Sequence, residues 1–175
     1  MKRFVIVAAL AALVSACGDD DNGPTGPSNT GPIVFTSQLS AANEVPPVTN
    51  AESTCRGTVT VTFNVPRDSN GAPTGGGTAN FVSQLSDCPA GTVVRAAHIH
   101  PGPAGQNGSP LIDTGQTPAN AVTLGNGSGT LTYNERPVSL EQATNITNNP
   151  GGFYFNVHSN LNPGGFVRGQ LVRQN

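Results

Sequence analysis

Gly57-Thr58-Val59-Thr60-Val61-Thr62-Phe63-Asn64-Val65 alternates polar and apolar side chains without a fault. Val59, Val61, Phe63 and Val65 share one face, with Thr58, Thr60, Thr62 and Asn64 on the other. That is the period of a strand packed on one side and wet on the other. Pro66 to Gly76 follows, with Asn70-Gly71 at its centre, and reads as a long turn. Gly77 to Ser86 then alternates again through Ala79, Phe81 and Leu85. If the two strands fold back as an antiparallel hairpin, facing residues have numbers that sum to about 143. Cys55 and Cys88 meet that sum. The register therefore predicts a disulfide across the open end of the hairpin; two reduced, buried cysteines are the alternative.

Outward from this hairpin, the same period predicts strands at 33–39, 92–100, 119–124, 128–133, 152–159 and 165–173. One short helix is expected near 140–147. Ser139 and Gln142 there have the spacing of a capping box, and Asn148-Asn149-Pro150-Gly151-Gly152 stops it. Many short strands between turn signals indicate an all-β domain over 33–175, an immunoglobulin-like β-sandwich or a Greek-key barrel.

Composition agrees and excludes other classes. The 175 residues include 22 Gly, 15 Pro and no Trp, and only 10% are charged. Scarce Leu, Lys, Glu and Met argue against a coiled coil or helical bundle. Lys2 is the only lysine, and Arg3, Arg56, Arg67, Arg95, Arg136, Arg168 and Arg173 are scattered, so no stretch neutralises a row of phosphates. A nucleic-acid partner is not expected. There is no Gly-x-Ser-x-Gly elbow and no pair of carboxylates at a readable spacing. Gly75-Gly76-Gly77 leads into no lysine and helix, so it is turn glycine and not a phosphate loop. The chain reads as a binding module more than an enzyme.

The N-terminal residues read as an address and a tether. Met1-Lys2-Arg3 precedes an apolar run from Phe4 to Val14, far short of the roughly 20 residues that span a bilayer, so residues 1–16 read as a signal peptide. Val14-Ser15-Ala16-Cys17 resembles a bacterial lipobox. That resemblance implies cleavage before Cys17 and acylation of Cys17, and several acyl chains on one residue anchor stably. An ordinary signal peptide with Cys17 as a spare thiol is the alternative. Gly18, not Asp, follows Cys17, which favours outer over inner membrane. Residues 17–32 hold no large apolar side chain and are expected to be a flexible, lipidated tether. The expected location is the bacterial cell envelope, with the membrane as one partner.

Three segments together resemble the chordin-type (CHRD) domain. They are Leu39-Ser-Ala-Ala-Asn-Glu-Val-Pro-Pro-Val48, Ala96-Ala-His-Ile-His-Pro-Gly-Pro-Ala-Gly105 and Phe153-Tyr-Phe-Asn-Val-His-Ser-Asn-Leu-Asn-Pro-Gly-Gly-Phe-Val-Arg-Gly-Gln-Leu171. The resemblance implies an extracytoplasmic, immunoglobulin-like all-β domain in a bacterial lipoprotein form, and no established catalytic activity. In animal chordin the parent protein antagonises growth-factor signalling. By analogy, a protein or surface ligand is the expected partner. Cys55 and Cys88 are not part of that motif, so their pairing rests on the hairpin alone. Phe166 stands where the family often carries an acid beside the arginine.

All three histidines of the chain lie inside these motifs: His98 and His100 flank Ile99, and His158 follows Val157. Alternation places His98 and His100 on one face, about 6.5–7 Å apart along the strand. With Ile99 and Val157 inward, the three imidazoles emerge together if the two strands are neighbours. Three neutral imidazoles suit Cu or Zn, with a fourth position open. The His-x-His and Val-His pieces are similar to part of the copper site of Cu/Zn superoxide dismutases. The Asp-bearing second metal cluster of those enzymes is missing, so dismutase activity is not expected. The alternative is that the rings bond to nearby loops, through Asn156, Asn160, Asn162 or the turn at 101–103.

Arg168 and Gln170 alternate with Val167 and Leu171 and are expected to point outward. Arg168 would attract an anion to the histidine face, or more simply pair with a carboxylate such as Glu44 or satisfy loop carbonyls. Glu44, before the stiff, polyproline-like Val45-Pro46-Pro47, reads as a loop anchor.

Overall fold

The structure, a computed structural model, describes residues 31–175. The expected signal peptide at 1–16, the lipidation at Cys17 and most of the 17–32 tether lie outside the described residues. The strands are β1 (Ile33–Ser40), β2 (Arg56–Asn64), β3 (Gly77–Ser86), β4 (Thr92–Pro101), β5 (Ile112–Asp113), β6 (Val122–Leu124), β7 (Gly129–Val138), β8 (Phe153–Ser159), β9 (Val167–Gln170) and β10 (Val172–Arg173). One helix, α1 (Leu140–Asn148), lies between β7 and β8. Ser139 and Gln142 close the capping box that starts it: Gln142 N donates to Ser139 Oγ (3.1 Å) and Ser139 N to Gln142 Oε1 (2.9 Å).

All strands join one antiparallel sheet in the order β5-β4-β8-β9-β1-β2-β3-β7, with β10 on β1 and β6 on β4. The sheet curls until its ends nearly meet. Tyr133 of β7 donates to Gln116 Oε1 (3.1 Å), and Arg136 Nε to the Asp113 carbonyl (3.4 Å). Of the two expected architectures this is the barrel. Its interior is lined by the odd-numbered residues of the founding hairpin, Val59, Val61, Phe63, Ala79 and Phe81, all buried. Ile33, Phe35, Ile99, Phe155, Val157 and Val167 complete it. Each large apolar side chain taken from water contributes about 1.5–3 kcal/mol.

Three local readings are corrected. First, hairpin partners sum to 142, not 143, as in Gly57 with Leu85 and Thr58 with Gln84. By that ladder Cys55 would face Asp87. Asp87 instead adopts the left-handed conformation (φ 56°), which inserts one extra residue and turns Cys88 back to the inner face. There it forms a disulfide with Cys55, Cα to Cα 4.4 Å. Second, 119–124 is only half a strand. Pro118–Asn120 is a 3-10 turn, because proline has no N–H for the ladder and Asn120 Oδ1 accepts from Thr117 N. Third, 165–173 breaks at Leu171 into β9 and β10. In addition, the Val45–Pro46 bond is cis, where the sequence suggested a polyproline-like piece.

Candidate metal centre

The ladder of β4 with β8 places the histidines. His98 faces Asn156, His100 faces Tyr154, and Ala96 faces His158. Ile99 and Val157 are fully buried in the barrel, so the even-numbered residues of both strands emerge on its outer face. A bulge between Val94 and Ala96 switches the parity of β4 just before the histidines. From Ala97 onward the odd residues are inward and the alternation holds.

The three imidazoles converge. One nitrogen from each of His98, His100 and His158 lies within 4.8 Å of the others, and no acid or cysteine among the described residues joins the group. His98 Nδ1 is 3.2 Å from His158 Nε2. The outer nitrogens are fixed by backbone carbonyls: His100 Nδ1 donates to Gly108 O (2.9 Å) and His158 Nδ1 to Pro163 O (3.0 Å). A carbonyl only accepts, so both Nδ1 atoms carry the proton and both Nε2 atoms present a lone pair. His100 Nε2 is buried without a hydrogen-bond partner. Such an orphan acceptor is costly unless something occupies it. The donor set thus fits a transition-metal ion. The His98 Nδ1···His158 Nε2 contact is the N–H···N bond that a cation would replace.

The loops expected to satisfy the rings through Asn156, Asn160, Asn162 or the 101–103 turn do so through the Gly108 and Pro163 carbonyls instead. Burial lowers the affinity of all three rings for protons, most at His158, which is pushed down to about 4. Neutral rings are the form a metal needs.

Arg168 lies on the expected face but not in solvent. It is 1% exposed, because the 102–108 loop folds over it. Its guanidinium donates to Gln106 O (3.0 Å), Asn107 Oδ1 (3.0 Å) and Gln170 Oε1 (3.4 Å), not to Glu44. It also lies 3.5 Å from the centroid of Tyr154. Tyr154 in turn stacks on His100, and its hydroxyl accepts from Gly108 N (3.2 Å). Glu44 is buried on this face, and burial, opposed by the Arg168 charge and Asn156, pushes its carboxyl up to about 7. It lines a cleft of about 430 Å³ with Ala42, Asn43, Val45, Pro47 and Gln170.

Two residues of the site escaped sequence reasoning. Tyr154 shares the even parity of Asn156 and His158, a signal that was available. Asp113, whose Oδ1 stands 3.9 Å from His98 Nε2, is brought in by the two-residue strand β5, which no periodicity marks.

A family model described as the CHRD domain matches residues 35–171. Comparison with curated proteins and with solved structures gives no match.

Proposed function

The chain belongs to the CHRD domain family, and on that premise we propose that it is an exported, lipid-anchored envelope protein whose domain binds a copper or zinc ion through His98, His100 and His158. The observation that carries this reading is the convergence of three ring nitrogens, two with lone pairs set by carbonyl partners, one of those two being an orphan. Bound there, the ion would supply a Lewis-acidic centre with an open coordination position, suited to storage, delivery or redox work. His98, only partly buried, is the ring through which an ion enters. The N-terminal basic, apolar and Cys17 pattern supports export and acylation.

A second reading, an interaction module without metal, is favoured by the cleft beside Glu44, open to a protein or surface ligand. Metal analysis of the full chain separates the two. Under the metal reading the protein holds about one equivalent of Cu or Zn, and His158→Ala loses it while keeping the far-UV signature of the barrel. Wild-type protein that takes up neither ion at micromolar supply leaves the second reading alone standing.

A further inference from the structure

The identity of the ion can be narrowed, on the premise of the three-histidine site just proposed. We infer that the site selects Cu(I) over Zn(II).

Three independent features lead there. The donor set is three neutral nitrogens, with no carboxylate or thiolate in the group, so the complex keeps the whole charge of the ion. His100 and His158 are 4% and 8% exposed. The cost of burying net charge grows as its square, so a divalent ion is penalised about fourfold more than a monovalent one.

The second feature is the sign of the fixed charge. Arg168 is buried, carries the guanidinium charge, and is stacked through Tyr154 onto His100. Arg95, three residues before His98 on β4, adds a second positive charge to the strand that carries two of the ligands. Both repel M²⁺ twice as strongly as M⁺. Two acids oppose them. Asp113 is near His98, but its side chain is 62% exposed and screened by solvent. Glu44 is buried but held largely protonated below pH 7.

The third feature is coordination number. Zn(II) would need a water as its fourth ligand, taken into a site whose rings are largely buried, because the described residues supply three. Cu(I), a filled-shell monovalent ion, is stable with three nitrogen donors.

The test compares affinities of the full chain for Cu(I), by anaerobic competition with a colorimetric Cu(I) chelator, and for Zn(II), by competition with a chromogenic Zn(II) chelator. Wild type is expected to bind Cu(I) at least about a hundredfold more tightly. Arg168→Met should raise the Zn(II) affinity relative to Cu(I) about tenfold, while Arg168→Lys, which keeps the charge, leaves the ratio near wild type. Arg95→Gln, at a site that is not fully buried, should move the ratio about threefold in the same direction, and decides the matter if Arg168→Met does not fold. Preference for Zn(II) in wild type, or a ratio unmoved by the folded charge-removing variants, overturns the inference and leaves the three-histidine site intact. Wild type that binds neither ion rejects the site itself.

Discussion

His100 and Tyr154 lie ring to ring, 4.9 Å between centroids and 7° from parallel, with the Arg168 guanidinium also against the tyrosine. One aromatic plane therefore joins a candidate metal ligand to a buried cation. Tyr154→Phe keeps the stack and removes only the acceptor for Gly108 N–H. It should cost about 1–2 kcal/mol in urea unfolding and leave metal stoichiometry unchanged. Tyr154→Ala also strips Arg168 of its cover and should cost about 3–5 kcal/mol. Equal losses in the two variants would show that the stack contributes nothing.

The Cys55–Cys88 disulfide closes a loop with a sequence separation of 33. Chain entropy for a loop of that size corresponds to about 3–4 kcal/mol. Replacing both cysteines by Ala should lower stability by that order while preserving the barrel, since both sulfurs lie at the end of the hairpin ladder. Unfolding midpoints of the double variant and the oxidised wild type check this; coincident midpoints would contradict it.

Gly169 sits where β9 passes β1. A Cβ there would overlap the Ser37 hydroxyl and, more seriously, the Gln38 carbonyl, which is backbone that no rotamer relieves. Gly169→Ala is expected to destabilise by about 3 kcal/mol or more, and to disturb the neighbouring Arg168. Gly91→Ala is a control of another kind: it has open space but a φ of +83°, and should cost only about 1 kcal/mol.

Glu44 gives stability a slope of unusual sign. Its folded pKa of about 7 lies above the ordinary 4.5, so the folded state holds the proton more tightly. The resulting stability is complete below about pH 4.5 and is lost as pH rises through 7, on the order of 3 kcal/mol in all. Glu44→Gln should flatten that alkaline decline, and its urea midpoint should exceed the wild-type value above pH 7. Parallel profiles for the two proteins would exclude the effect.

His158 acts in the other direction. Burial holds its folded pKa near 4 against 6.5, so the unfolded chain takes up the proton first. Stability from this residue is complete above about pH 6.5 and falls, again on the order of 3 kcal/mol, as pH drops to about 4. The two slopes overlap between 4.5 and 6.5, so the acid limb is best read in a Glu44→Gln background. There, a further His158→Gln change should remove most of it.

The side-chain alternation of β2, β3, β8 and the 97–100 part of β4 made the barrel wall and the histidine face readable from the sequence, because Ile99 and Val157 obey a local rule that neighbouring strands do not alter. Burial of Arg168 was not readable. The residue that covers it, Gln106, is 62 positions away, and a tertiary lid leaves no period in the chain. The one-residue error in the hairpin register has a different cause: Asp87 is a non-glycine residue at positive φ, a state that its identity permits but does not announce. Closure of the sheet rests on side-chain bonds between segments distant in sequence, again invisible to pattern.

The barrel's apolar filling and its histidines occupy opposite sides of the same strands, and this separation has an evolutionary corollary. Ligands can be exchanged, lost or re-acquired on the outside without renegotiating the packing within. A descendant without any of the three imidazoles would still fold, and one with a cysteine or methionine in their place would inherit a new metal preference on an unchanged chassis.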